Sequence, residues 1–310
     1  MEQSFLAWLR GRQANLPQVK VGIGDDGAVF VPQAGKELVL ASDGIVDGVD
    51  FLADQHSLAE VGRKAVAINL SDLAAMGAEP AAILVNLSLP TRSATEIAAA
   101  CYEGILEICD QYQVAIAGGD ITVYDGPLAI SVTAIGHVES GQAWLRSGAK
   151  EGDSVLVSGA FGGSLLGRHL RFTPRIEFAR RLRAIGGVHA AMDVSDGLSL
   201  DLDRLCASSA LGVELDMEAI PIHPDAGPWA EQQGGTLLEH ALGDGEDFEL
   251  IVAMEPKAAQ RAMAAEAALP EDVRVPLTKI GTLTGRTGLW MQKTGKLERL
   301  SPSGYIHGEQ

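Results

Sequence analysis

Cysteine is scarce, with three residues in 310: Cys101, Cys109 and Cys206. Their spacing fits neither a zinc pattern nor a C-x-x-C redox pair, which argues against both. An odd, sparse count suits reduced thiols in a cytoplasmic protein. Aromatic residues are few, at 5%, and no apolar run approaches the ~20 residues that span a bilayer. The opening M-E-Q-S-F-L-A-W-L-R lacks a basic segment followed by an apolar one, so no export signal is expected. It reads instead as a short amphipathic helix with Phe5, Trp8 and Leu9 on one side. Positive charge is also short: 24 Lys and Arg against 41 Asp and Glu, a net charge of −17. That balance argues against nucleic acid and against anionic membranes as partners, since both bind basic surfaces.

What is present is glycine, 36 residues of it, and a hydrophobic fraction of 46%. The second is enough for real cores, and the length predicts two domains. Strands and helices alternate without repeats. L-V-L-A-S at 38–42 reads as a strand ending in an acidic turn. Residues 57–70 read as a helix with Leu58, Val61, Ala65 and Ile68 on one face. Residues 81–89 read as a strand that Pro90 ends. Ser93 and Glu96 spell an S-x-x-E capping box ahead of a helix carrying Ile97, Cys101, Ile105, Ile108 and Tyr112. A short strand at 114–117 runs into G-G-D, and alternation of Leu128, Ile130, Val132 and Ala134 predicts another strand. The polar turn R-S-G-A-K-E-G-D places a boundary between domains 1–147 and 148–310. The second half restarts with a strand at 153–159, a glycine-rich turn and a helix. It continues with a turn at Asp193–Gly197, a helix bearing Leu198, Leu202 and Leu205, and a late strand at 248–253. This order predicts two α/β or α+β domains of about equal size.

Seven aspartates stand in short polar or glycine-flanked segments at expected element ends. They are Asp25 and Asp26 in G-I-G-D-D-G, Asp43 in S-D-G, Asp72 in N-L-S-D-L-A-A-M-G-A, Asp120 in A-G-G-D, and Asp193 with Asp196 in D-V-S-D-G-L. Singly, each is an ordinary turn or cap residue. Together they read as a cation site, because two carboxylates 4 Å apart repel by roughly 4 kcal/mol at an effective dielectric near 20. Hard oxygen donors without His or Cys point to Mg²⁺ or Ca²⁺ rather than zinc. Mg²⁺ takes one or two carboxylates and shares phosphate oxygens, so this many acids predicts several ions and a polyphosphate such as ATP. S-G-A-F-G-G-S at 158–164 has neither the G-K-[ST] of a Walker loop nor G-x-G-x-x-G; it reads as a tight strand-to-helix turn or as a weak phosphate cradle.

The segments G-I-G-D-D-G-A, N-L-S-D-L-A-A-M-G-A, G-G-D, R-S-G-A-K-x-G-D, P-R and D-x-S-D-G-L, in this order, resemble the thiamine-monophosphate kinases. These belong to the aminoimidazole-ribonucleotide-synthetase-like superfamily. The resemblance spans about residue 20 to about residue 305, and N-L-S-D-L-A-A-M-G-A is its most specific string. It implies transfer of the γ-phosphoryl group of ATP to thiamine monophosphate, giving thiamine diphosphate. It implies an N-terminal sheet domain that binds ATP and Mg²⁺ and pairs in a homodimer, and a sandwich-like α/β C-terminal domain that completes the site. By position it implies metal binding at Asp26, Ser42, Asp43, Asp72, Asp120, Asp193 and Asp196. Asp72, Asp120 and Asp193 would stand at the reacting phosphates. Gly119, Asp120, Arg146 and Ser195 would meet ATP, and Tyr102 its base; Arg146 could equally be a surface ion-pair residue and Tyr102 a core residue. Glu246 in G-D-G-E-D-F-E-L and Tyr305 in G-Y-I-H would face the thiamine end.

The chain departs from the family pattern at four places. Asp50 replaces a His, S-D-G replaces a Thr-Asp-Thr-like turn, Asp244 replaces a Gly, and G-Y-I-H-G stands for G-Y-D-H-F. Asp50 would face the cationic thiazolium or the aminopyrimidine of thiamine, or else solvent. The alternatives are another ATP-using enzyme of the superfamily with a different acceptor, or a nucleotide-binding paralogue without catalysis.

Overall fold

The structure, a computed structural model, describes residues 2–12, 16–23, 25–293, 296–306 and 308. The chain forms two compact units. One comprises 1–73 with 78–143, the other 74–77 with 144–310.

The first unit opens with α1 (Glu2–Arg10), the expected amphipathic helix, which buries Phe5 and Leu9. A small hairpin of β1 (Val19–Val21) and β2 (Val29–Phe30) follows. Then come β3 (Lys36–Val46), α2 (Leu58–Ala75), β4 (Glu79–Pro90), α3 (Ala94–Tyr112), β5 (Ala115–Tyr124) and β6 (Ala129–Glu139). The sheet order is β3-β6-β4-β5, with only the β4–β5 pair parallel. Alternation along β6 puts Ile130, Val132 and Ala134 inside, as their spacing predicts. The two long helices cross closely at a pair of glycines. A Cβ on Gly62 would sit 2.0 Å from the Cys101 carbonyl oxygen, and one on Gly104 would sit 1.7 Å from that of Ala59. No side chain fits at either position.

Several local expectations are corrected here. β3 does not stop at Ser42 but runs through S-D-G to Val46, because all eleven residues pair with β6. β5 likewise runs through G-G-D, and α2 continues past residue 70 to Ala75, held by buried Leu70 and Leu73. Asp43 and Asp120 therefore lie on strands and Asp72 on a helix, not on turns. Pro90 is the last residue of β4 rather than a stop after it. The expected capping box at Ser93 is not formed: Ser93 is left-handed, with φ 58°, and its side chain makes no cap bond. An N-cap oxygen reaches the helix amides from extended backbone, which Ser93 lacks.

The second unit contains β7 (Ser154–Ser158), a 3₁₀ turn at Ser164–Leu166, α4 (Arg168–Arg171), α5 (Ile176–Ile185), β8 (Val188–Asp193) and α6 (Leu198–Ser208). It continues with β9 (Gly212–Leu215), α7 (Ala226–Gln233), α8 (Leu237–Gly243), β10 (Leu250–Met254) and α9 (Pro256–Ala267). The hairpin-rich end is β11 (Leu277–Thr284), β12 (Gly288–Lys293) and β13 (Lys296–Leu300). Its sheet order is β13-β12-β9-β11-β7-β10-β8. The core joins Val155, Val157, Met192, Ile251 and Ile280 of the sheet to Leu198, Leu202 and Leu205 of α6. The spacing of those three leucines marks this helix in the sequence. Among the described residues no helix is long and apolar enough to cross a membrane.

Candidate active site

In the first unit the acids are set by the sheet and by α2. The Asp43 amide donates to Asn69 Oδ1 at 3.0 Å, and Asn69 Nδ2 donates to the Ala65 carbonyl one turn back. Asn69 is fully buried and thereby ties the middle of β3 to α2. Asp72 lies three residues further on the same helix. Sequence reasoning missed Asn69, although it opens the N-L-S-D string. Ser42 bonds sideways to β6, its Oγ lying 3.0 Å from Thr133 Oγ1.

Asp120 stands apart from Asp43. Register places it opposite Asn86, then Ser131, then Gly44, three strand spacings across the sheet. At ~4.8 Å per spacing this is roughly 14 Å, too far for Asp120 and Asp43 of one chain to share an ion. Gly119, beside it, has φ +152° and packs so tightly on β4 that a Cβ would sit 1.8 Å from the Val85 oxygen. Asp25 and Asp26 are exposed, and the Asp26 amide donates to Asp25 Oδ1 at 2.9 Å. Their hairpin packs through Val19 and Phe30 on Ala82, Ala115 and Ala117.

Two expected contacts look different in place. Asp50 Oδ2 accepts from the Val46 amide at 2.7 Å, so the carboxylate closes its own loop. The Asp50 carbonyl is in turn held by Lys64 Nζ at 3.0 Å, a lysine with no exposed surface. Tyr102 is only 4% exposed, edge-on to Phe5 of α1, and burial pushes its pKa up. It belongs to the buried core of this unit.

In the second unit three distant segments meet. The Glu246 amide donates to the Ser195 carbonyl at 2.7 Å, and the Tyr305 amide donates to the Asp196 carbonyl at 2.8 Å. D-V-S-D-G-L, G-D-G-E-D and S-G-Y-I thus come together, placing Ser195, Asp196, Glu246 and Tyr305 side by side. Asp193 ends β8, buried, paired in register with Leu250 of β10. The turn is shaped by Asp201, a residue that sequence reasoning missed. Its Oδ2 accepts from both the Ser195 and Asp196 amides, at 3.0 and 2.9 Å. Burial pushes the Asp201 pKa up, opposed by these bonds and by Arg204. Arg204 also grips the Asp196 carboxylate. Arg146 is exposed, and among the described residues its guanidinium meets no carboxylate.

The glycine-rich loop after β7 is not an open phosphate cradle. The Gly163 amide donates to Asp244 Oδ2 at 2.7 Å, and the Gly162 amide to Asp247 at 3.2 Å. The chain's own carboxylates occupy those donors. Asp244, a departure from the expected Gly, is thus a loop-holding residue that also pairs with His240 at 2.7 Å.

Residues 24–138 match the family described as AIR synthase related protein, N-terminal domain, and residues 129–291 match its C-terminal domain. Across its whole length the chain is 55% identical to a thiamine-monophosphate kinase of Rhodopirellula baltica, covering 98% of that protein. The chain belongs to the thiamine-monophosphate kinase family. Among solved structures, the thiamine-monophosphate kinase of Stenotrophomonas maltophilia superposes with TM-score 0.79 at 34% identity, over 94% of this chain and 96% of the other. A second member, AaThiL complexed with AMPPCP and TMP, superposes with TM-score 0.76 at 29% identity, over 89% of both chains. The mixed α/β architecture of both units is therefore the family's.

Seven residues are candidate ligands for a metal: Asp26, Ser42, Asp43, Asp72, Asp120, Asp193 and Asp196. Every candidate ligand is a carboxylate or hydroxyl oxygen, which fits Mg²⁺ and not a soft ion. Among the described residues no three His, Cys, Asp or Glu side chains converge closely enough to hold an ion unaided.

Proposed function

We propose that this protein is an ATP-dependent thiamine-monophosphate kinase that forms thiamine diphosphate and ADP. The observation that carries the assignment is the meeting of Ser195, Asp196, Glu246 and Tyr305, in a chain that is full-length kin to a thiamine-monophosphate kinase.

The acceptor is a phosphate monoester, already anionic near neutral pH because its second pKa is about 6. It needs no general base, and the absence of a candidate catalytic His is consistent with that. The protein's task is alignment and charge neutralisation. Asp26, Ser42, Asp43, Asp72, Asp120, Asp193 and Asp196 would hold Mg²⁺, with Asp72, Asp120 and Asp193 nearest the reacting phosphates. Bound Mg²⁺ would neutralise the phosphate oxygens. The roughly 14 Å between Asp120 and the Asp43 strand supports more than one ion. Gly119, Arg146 and Ser195 would contact ATP. The exposed guanidinium of Arg146, which meets no carboxylate among the described residues, supports phosphate binding over a surface ion pair. Glu246 and Tyr305 would face thiamine, with Asp50 shaping the adjoining loop. Leu38 and Leu40 on β3, 46% and 65% exposed, support pairing of this sheet in a homodimer. We place the enzyme in the cytoplasm, in keeping with three buried, unpaired cysteines.

The test is ADP release with thiamine monophosphate against a panel of other phosphomonoesters, with and without EDTA. Release with thiamine monophosphate alone, abolished by EDTA and restored by Mg²⁺, is expected. Preference for another phosphomonoester would reassign the acceptor.

A further inference from the structure

The acidic segment 244–249 is held, nearly residue for residue, by a basic segment that the proposed chemistry does not use. Arg168 Nη2 donates to Asp247 Oδ1 at 2.9 Å and to the Gly162 carbonyl at 3.0 Å. His169 Nδ1 lies 2.9 Å from Glu246 Oε2. Phe172 stacks on Phe248, ring centroids 4.2 Å apart and planes 18° from parallel. Arg175 Nε donates to Glu249 Oε2 at 2.6 Å. Thus 168, 169, 172 and 175 engage 247, 246, 248 and 249.

The gripped segment is one that would not rest in this shape alone. Glu246 and Phe248 are both left-handed, with φ 52° and 50°, a conformation that non-glycine residues avoid unless their surroundings impose it. Its backbone is also bonded to the nucleotide-side turn. Glu246 and Phe248 donate to the Ser195 and Val194 carbonyls, and the Val194 amide donates to the Glu249 carbonyl, at 2.7, 2.8 and 2.8 Å. Asp247, Phe248 and Glu249 are buried, whereas Glu246 keeps part of its carboxylate exposed. Three of the four grips act on the buried side chains of Asp247, Phe248 and Glu249; the one from His169 acts on the carboxylate left open to a ligand. An ionised carboxylate can only accept, so Nδ1 carries the proton in this contact. His169 is itself 3% exposed, on α4, so its ring cannot follow a wandering carboxylate.

We propose that Arg168–Arg175 is a positioning clamp, and that His169 sets the Glu246 carboxylate in the orientation that recognises the cationic or amine-bearing part of the acceptor. His169 is a positioning residue and touches no substrate. The proposal rests on the reading that Glu246 faces the acceptor, and the experiment separates the two.

Steady-state kinetics are measured for the full-length protein with Glu246→Gln, His169→Ala, His169→Asn and His169→Gln. Glu246→Gln tests the underlying reading. It and His169→Ala should each raise KM for thiamine monophosphate about tenfold, the loss of one charge-assisted hydrogen bond, with kcat and KM for ATP within about twofold. His169→Asn, whose amide nitrogen reaches the place of Nδ1, should recover most of the loss. His169→Gln, whose amide reaches the place of Nε2, should not. This Asn–Gln contrast stands even where His169→Ala does not fold. If Glu246→Gln raises KM and His169→Ala does not, the clamp is wrong and the Glu246 reading survives. If Glu246→Gln changes nothing, both fall. Equal damage to both substrates, or no difference between Asn and Gln, would make His169 a packing residue and overturn the proposal.

Discussion

Asp247 shows how one buried carboxylate ties geometry to pH. It accepts from Gly162 and Arg168, and burial pushes it up to about 7 while Arg168 pulls the other way. The unfolded chain titrates near ~3.9, so the native state holds this proton more tightly. A raised native value contributes stability in full below the unfolded pKa and loses it as pH rises through the native one. Thermal melts between pH 4 and 8 should therefore show wild type losing ground to Asp247→Asn as pH rises. A gap that does not change with pH would contradict this. The same scale shows what the sequence conceals. Asp201 and His169 carry no motif signal, because each acts through a partner fixed only by the fold: the Ser195 and Asp196 amides for one, Glu246 for the other. Asn69 was legible in principle, since it adjoins Asp72 in the most specific string of the chain.

At the scale of elements, the α2–α3 crossing decides where Asp72 and Asn69 stand. The two glycines let the helices touch backbone to backbone, so any side chain there must part them. Gly104→Ala should destabilise the protein by about 3 kcal/mol, read from the denaturation midpoint. As a control, Gly227→Ala in α7 meets nothing within 4 Å and should be neutral or slightly stabilising. Equal effects at both positions would refute the crossing. Helices were the more legible elements, since Leu198, Leu202 and Leu205, and the stripe through Cys101 and Ile105, follow one period. Strand ends were not. S-D-G and G-G-D have turn composition, but eleven-residue pairing with β6 and the β4 register carry the backbone straight through them. Capping failed for a related reason: S-x-x-E occurs at Ser93 without the extended backbone it needs. The box that does form, Thr236 with Glu239 at α8, is the same kind of pattern in T-L-L-E.

For the whole molecule, the candidate acids are distributed over two units with separate cores. Asp26, Asp43, Asp72 and Asp120 lie in the first unit, and Asp193, Asp196 and Glu246 in the second. The order of motifs along the chain was enough to read the family, because each motif keeps its spacing to an element that folds locally. Which acids meet was not readable, since that depends on strand order, and β3-β6-β4-β5 sets Asp120 apart from Asp43. The proposed reaction moves the γ-phosphoryl group of ATP onto the phosphate of thiamine monophosphate. The most direct test is phosphorus-31 NMR of the purified protein turning over ATP, Mg²⁺ and thiamine monophosphate. The expected result is loss of the thiamine monophosphate signal with matched growth of the two coupled resonances of thiamine diphosphate, one equivalent per ADP formed. Growth of inorganic phosphate with thiamine monophosphate unchanged would contradict it.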